Sequence, residues 1–211
     1  MARSGPVTKD TTTIAIGYAQ VRVGASVANI SKTYLALTSS DSIGALANVK
    51  FNSAAEYFKL ESGYPMLEDA SFPLKESASV EVGFKEITPK NFALAKGLDP
   101  STGYASAHVG SIGLGTITTP AFIRAETVYT YPDGHNTMNV IFPRAQATAN
   151  IEMEFAEAEP AAVATVLEGK RADSETTGGH ANWNSMPIGR VVWATSTGVT
   201  STSTTTTTTA P

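Results

Sequence analysis

From Arg144 to Phe155 the chain reads RAQATANIEMEF, with polar and apolar residues alternating without exception. Arg144, Gln146, Thr148, Asn150, Glu152 and Glu154 fall on one side of this period; Ala145, Ala147, Ala149, Ile151, Met153 and Phe155 fall on the other. A period of two marks a strand with one face buried and one wet. At about 3.3 Å per residue such a strand would be about 40 Å long, against a usual strand of about five or six residues. The segment therefore predicts a long, regular sheet with a hydrophilic outer face.

Other strands follow from the same pattern. Thr12 to Val23 carries Ile14, Ile16 and Tyr18 on one face, then changes parity near Ala19-Gln20, as a bulge would. Ala78 to Ile87 alternates cleanly, and Phe122 to Tyr131 places Ile123, Ala125, Tyr129 and Tyr131 on its buried face. Pro132-Asp133-Gly134 predicts a turn, with the chain returning as Met138 to Phe142. Pro143 is expected at a corner before the long strand, and a final strand is expected over Ile188 to Ala194.

Two short helices are predicted. Thr88 and Pro89 supply an N-cap and a first helical residue, and Gly97 supplies the stop. Pro160, with Val163, Val166 and Leu167 at helical spacing and Gly169 as terminator, predicts the second. Ser39 to Asn52 is rich in small and polar residues and reads as a long loop, of the kind that is more often functional than accidental. These elements divide the chain into an N-terminal arm (1–11), a β domain (12–194) and a threonine-rich tail (195–211).

Composition permits one substantial β domain: 211 residues, 42% hydrophobic and without cysteine. A chain of this size buries about 70% of its unfolded surface and needs no disulfide or metal staple. A net charge of −4 argues against a surface built to grip nucleic acid. No N-terminal apolar run reads as a signal peptide, and no stretch reaches the ~20 apolar residues of a membrane span.

Chemistry-bearing motifs are sparse. Gly110-Ser111-Ile112-Gly113-Leu114-Gly115 has the glycine count of a phosphate loop, but not its order or its following helix. His108, His135 and His180 lie in separate segments, without the spacing of a metal site. No serine occupies a nucleophile elbow. Glu152 and Glu154 lie about 6.6 Å apart on one strand face, a separation open to glycosidase carboxylates. On a regular wet face, however, they read as solvated charges. No enzyme activity, cofactor or metal is expected.

Two segments carry a resemblance: LKESASVEVGFKEITPKNFALAKGLDP (Leu74 to Pro100) and YPDGHNTMNVIFPRAQATANIEMEFAEAEPA (Tyr131 to Ala161). The first is a strand entering a short Thr-Pro helix that ends in Gly-Leu-Asp; the second is a hairpin followed by a long strand with an acidic end. In this order the chain resembles the major tail tube proteins of long-tailed bacteriophages. That resemblance implies a mainly β, antiparallel sandwich or barrel with one or two short flanking helices. It implies hexameric rings that stack into a tube, one sheet of each subunit joining its neighbours in a continuous inner β-barrel. The lumen would conduct DNA without binding it specifically.

On that resemblance, Glu81, Lys85, Arg144, Gln146, Thr148, Asn150, Glu152 and Glu154 are expected to face the lumen. Ser40, Asp41, Ser42, Asn48 and Lys50 are expected in a loop that reaches the next ring. The implied partners are further copies of the chain, a tape measure, a tail tip and a terminator. The implied location is the tail of a virion assembled in the host cytoplasm, with no membrane partner. Two other readings are a different ring-forming virion protein (a tail terminator or head-decoration protein) and a monomeric carbohydrate-binding β-sandwich. The latter would use Trp183, Trp193 or tyrosines as stacking platforms.

Overall fold

The computed structural model describes residues 15–17, 19–64, 67–100, 109–115, 119–148, 151–153, 155 and 161–195. Among the described residues the fold is mainly β: one antiparallel sheet of seven strands with two short helices, not closed into a barrel. The strands are β1 (Gln20–Ala25), β2 (Leu46–Ser62), β3 (Leu67–Phe84), β4 (Ile123–Thr130), β5 (Asn136–Ala147), β6 (Val163–Gly169) and β7 (Arg190–Thr195). The helices are α1 (Ser26–Asn29) and α2 (Pro89–Ala95).

Across the sheet the order is β1-β4-β5-β6-β3-β2, and β7 pairs with β5. β6 and β7 use different stretches of β5. β7 pairs from Asn136 to Ile141, whereas β6 pairs only from Ala145 to Ala147. The two strands therefore share one lane of the sheet, end to end.

One face of the sheet carries the main core. Val21, Val80, Val82, Phe84, Ile123, Phe142, Val163 and Leu167 are buried there, with Leu94 and Ala95 of α2 closing over them. α2 starts and stops as its sequence implies. Asn91 N donates to Thr88 Oγ1 at 3.2 Å, and Gly97 turns the chain at φ +78°. A Cβ at Gly97 would lie 3.1 Å from Pro120, so both backbone and space favour glycine.

The other face is covered over part of its area. Ile141, Ala172 and Trp183 pack there, with Ile30 and Leu35 from the segment after α1. Arg124 and Glu126 of β4 are fully buried beneath the same segment. The Arg124 guanidinium donates to the carbonyls of Asn29, Lys32 and Tyr34, and Glu126 accepts from the amides of Ala36 and Leu37.

Three expectations are corrected. β5 is not Arg144 to Phe155 but Asn136–Ala147. Pro143 lies within the strand at a register shift, where Ile123 pairs with Ala145 and Ala125 with Phe142; a bulge is where a strand tolerates proline. Past Ala147 the chain keeps one backbone bond to β6, from Thr148 N to Val166 O at 3.0 Å, and Ile151 to Met153 are not in a strand.

Val163 to Gly169 is strand β6, not a helix. Val163, Thr165 and Leu167 are buried and pair with Phe84, Val82 and Val80 of β3. Ser39 to Asn52 is not a loop throughout. It holds a 3-10 turn at Ser39–Asp41 and then enters β2 at Leu46.

Candidate assembly surface

The excursion from the body is the β2–β3 hairpin. Its strands span Leu46–Ser62 and Leu67–Phe84, paired along their whole length. Only the base is held by the core: Val80, Val82 and Phe84 are buried, whereas Ser53 to Ser62 and nearly all of Leu67 to Ser77 are exposed. The distal half is thus an arm with both faces in solvent.

Its composition is not that of a solvated arm. Tyr57, Phe58, Leu60, Leu67, Phe72 and Leu74 are all exposed on it. Phe58 pairs with Phe72, each 52% exposed, and Leu60 pairs with Ala70 on the same face. Burying such a Phe or Leu stabilises by about 1.5–3 kcal/mol, so the single chain leaves that energy unused. Register shifts beside Glu56 and Leu60 add twist, and the Lys59–Glu68 ion pair at 2.7 Å ties the arm near its tip.

Sheet edges are the second feature. β2 stands at one end of the strand order, and its outer edge meets no other strand among the described residues. At the other end, β1 is partly covered: Arg22 bridges to Ser42, and Ile43 N donates to Val21 O at 3.0 Å. Unpaired backbone groups along a seventeen-residue strand are a template for pairing with another chain.

The third feature is a polar row across four strands. Asn52 pairs with Ser79, Ser79 with Glu168, and Glu168 with Gln146, joining β2, β3, β6 and β5 on the face away from the core. Glu81 lies on that face beside Lys50 at 3.4 Å and accepts from Asn52 Nδ2. Lys170 meets Glu168 at 2.5 Å, and this contact, followed by the Thr148 hydroxyl, holds the Glu168 carboxyl below its ordinary pKa. Lys50, Lys75 and Lys170 stand against Glu56, Glu81 and Glu168 in this region, a balanced rather than an acidic set.

Of the expected lumen residues, Glu81, Gln146 and Thr148 come together on or beside this row. Gln146 also donates to Pro120 O at 2.7 Å. Lys85 is exposed just beyond β3, and Glu152 is exposed outside any strand. Asn150 and Glu154 lie outside the described residues.

Arg144 departs from the set. It is buried, its guanidinium carbon 3.9 Å from the centre of the Phe122 ring, and Nη1 donates to Arg171 O at 3.0 Å. Burial lowers its pKa from the ordinary arginine value. The bulge at Pro143 gives the reason, since it breaks the alternation that would have aimed Arg144 with Gln146.

Ser40, Asp41 and Ser42 lie in the 3-10 turn and the β1 bridge, whereas Asn48 and Lys50 lie in β2. They do not form one loop. The helical reading of Val163 to Gly169 hides Glu168, and of the arm the sequence shows only Tyr57 to Leu60 as strand, closed by Ser62-Gly63-Tyr64-Pro65, and not its length.

The aromatic platforms divide. Trp183 is fully buried, with Nε1 donating to Ile30 O at 2.6 Å. Trp193 is 65% exposed, and its Nε1 donates to the Tyr131 hydroxyl at 3.2 Å.

No family model matches the chain, and no curated protein matches it. Among solved structures it is similar to a chain of the PVC sheath–tube complex, in its extended state, of an extracellular contractile injection system. That likeness has 12% identity, covers 88% of this chain and 94% of that one, and has a TM-score of 0.47. It is also similar to the cap that terminates the tube of the anti-feeding prophage, at 11% identity, 92% and 99% coverage and a TM-score of 0.45.

Proposed function

We propose that this chain is a structural subunit that polymerises into a tail tube, as stacked rings whose lumen conducts DNA. The observation that carries the reading is the β2–β3 arm: a long hairpin, apolar on its surface, whose outer edge and faces meet no cover among the described residues. The two ends of the strand order, β2 and β1, would meet in a head-to-tail contact between copies. Such heterologous contacts close into rings when the rotation permits, and closure removes the exposed edges.

The polar row on β2, β3, β6 and β5 would then face the lumen. Its charges are balanced across the described strands. On this reading DNA is passed because the wall offers no net basic surface, which would release counterions and hold the duplex. Hexameric rings and the tape-measure, tip and terminator partners belong to the same proposal, as does assembly in the host cytoplasm into a virion tail.

Negative-stain electron microscopy of the purified chain over a concentration series tests it. Hollow tubes or stacked rings of uniform diameter are expected. Single particles at every concentration, persisting with tail tips added as initiators, would overturn the reading.

A further inference from the structure

Two groups of exposed apolar residues stand at opposite ends of the β2–β3 hairpin. The first is on the distal half of the arm, where Phe58, Leu60 and Phe72 share a face. The second is at the base. There Ile87, Pro89 and Phe92 line one side of a shallow groove of about 470 Å³, and Ile112 and Leu114 line the other. Ile87 is 38% exposed and Leu114 is 79% exposed, so the groove presents apolar side chains outward. Its two walls are held to each other: Lys96 Nζ donates to Gly113 O, and a Cβ at Gly110 would lie 3.0 Å from Pro89.

The groove belongs to the base because α2 does. Leu46 and Phe84 form the innermost pair of the hairpin, and Ser62 and Leu67 the outermost. α2 follows β3 directly, and Asn91 Nδ2 donates to Ile43 O at 2.8 Å, just ahead of β2. The seventeen residues of β2 span about 50 Å. A hairpin paired along that length cannot fold its tip back to its own base, so a contact between the two surfaces joins two copies. Their charges are opposite. From Glu56 to Asp69 the arm carries four carboxylates and one lysine, and Lys59 is already paired with Glu68 at 2.7 Å. From Lys85 to Lys96 the chain carries three lysines and one carboxylate, Glu86, which accepts from Ala45 N at 2.8 Å. Opposite surface charge steers two faces together and fixes their register.

We propose that the distal arm of one copy docks in the α2 groove of the next, its Phe58, Leu60 and Phe72 face against Ile87, Phe92 and Leu114. The contact is heterologous: tip and groove are different surfaces, so a joined pair still offers one of each and the series stays open. It runs along the hairpin, whereas pairing at the β2 edge runs across it. Edge pairing closes a ring, and the tip in the groove adds the next one. Calling it a ring-on-ring contact rests on the tube reading; the contact itself does not.

Crosslinking of full-length chains tests the contact with or without tubes. The chain has no cysteine, so Ala70→Cys on the arm and Ser111→Cys beside the groove are mixed, as chains distinguished by mass, and treated with a short bis-maleimide. Dimers with one chain of each kind are expected. Leu114→Asp in the Ser111→Cys chain should cut their yield at least about tenfold, since a buried leucine is lost from the contact. Lys90→Glu in that chain should lower the yield too, and Glu61→Lys in the Ala70→Cys chain should restore it. Thermal melting confirms that each variant folds. Dimers only between two Ala70→Cys chains, no mixed dimers, or a yield undiminished by Leu114→Asp would overturn the proposal, even where the parent forms tubes. Mixed dimers lost with Leu114→Asp support it, even where electron microscopy shows no tube and the tube reading alone falls.

Discussion

The Arg124 guanidinium and the Glu126 carboxylate, two residues apart on one strand, meet at 2.6 Å with both side chains fully buried. Three backbone carbonyls and two backbone amides of the 29–37 segment complete their hydrogen bonds. The pair fastens an irregular segment to the back of the sheet, and each charge depends on the other. Glu126→Ala is expected to cost about 3–5 kcal/mol, because it leaves a buried guanidinium uncompensated. Urea unfolding of the variant checks this. A double replacement by Met and Leu should remain destabilised, since five backbone groups would lose their partners.

The arm gives a prediction of the opposite kind. Phe58→Ser with Phe72→Ser removes an exposed cross-strand pair, so the stability of the isolated chain should change by no more than about 0.5 kcal/mol per site. Assembly should fall sharply. Sedimentation velocity and thermal melting on the same samples separate the two effects. A loss of melting temperature without a loss of assembly would contradict the role given to the arm.

In the main core, Phe84 is fully buried at the end of β3, opposite Leu46 and Val163. Phe84→Ala is expected to cost about 3–5 kcal/mol through lost transfer energy and a residual cavity. The shift in urea midpoint measures it, and an unchanged slope would show that the unfolded state is the same.

Glu168 should make stability depend on acid. The Lys170 contact first, and the Thr148 hydroxyl second, lower its folded pKa from 4.5. A carboxylate with a lowered folded pKa contributes stability that is fully present above the unfolded value and is lost as pH falls through the folded one. Glu168→Gln is therefore expected to be less stable than the parent at neutral pH, with the gap closing below about pH 4.5. The group is partly exposed, so the gap is small and should shrink with added salt. Urea unfolding of both proteins from pH 3 to pH 7 measures it.

What the sequence makes legible depends on whether a residue's environment is local. α2 is legible because Thr88, Pro89 and Gly97 act within one turn of the backbone. β4 is legible as a strand, but its second face is not. Arg124 and Glu126 read as wet by alternation, and only the long-range return of residues 29–37 buries them. In β6, Val163, Val166 and Leu167 satisfy a helical period as well as Val163, Thr165 and Leu167 satisfy a strand period, and β3 decides between them.

The stretch from Arg144 to Phe155 keeps its alternation past Thr148, where the ladder among the described residues ends. The arm is the reverse case. Its strands pair from end to end, interrupted by register shifts, but with no buried face they leave little periodic trace beyond Tyr57 to Leu60.

The sheet also has a waist. β1, β4, β5 and β7 form one panel and β6, β3 and β2 another, and the rungs that join them are Ala145 to Gly169, Gln146 to Glu168 and Ala147 to Leu167. Backbone bonds from Thr148 N to Val166 O and from Lys170 N to Arg144 O flank those rungs, and at the other end Ser42 and Ile43, just ahead of β2, are held to β1. A load on the hairpin tip therefore has two routes to the far panel, one through the waist and one around the β1 edge.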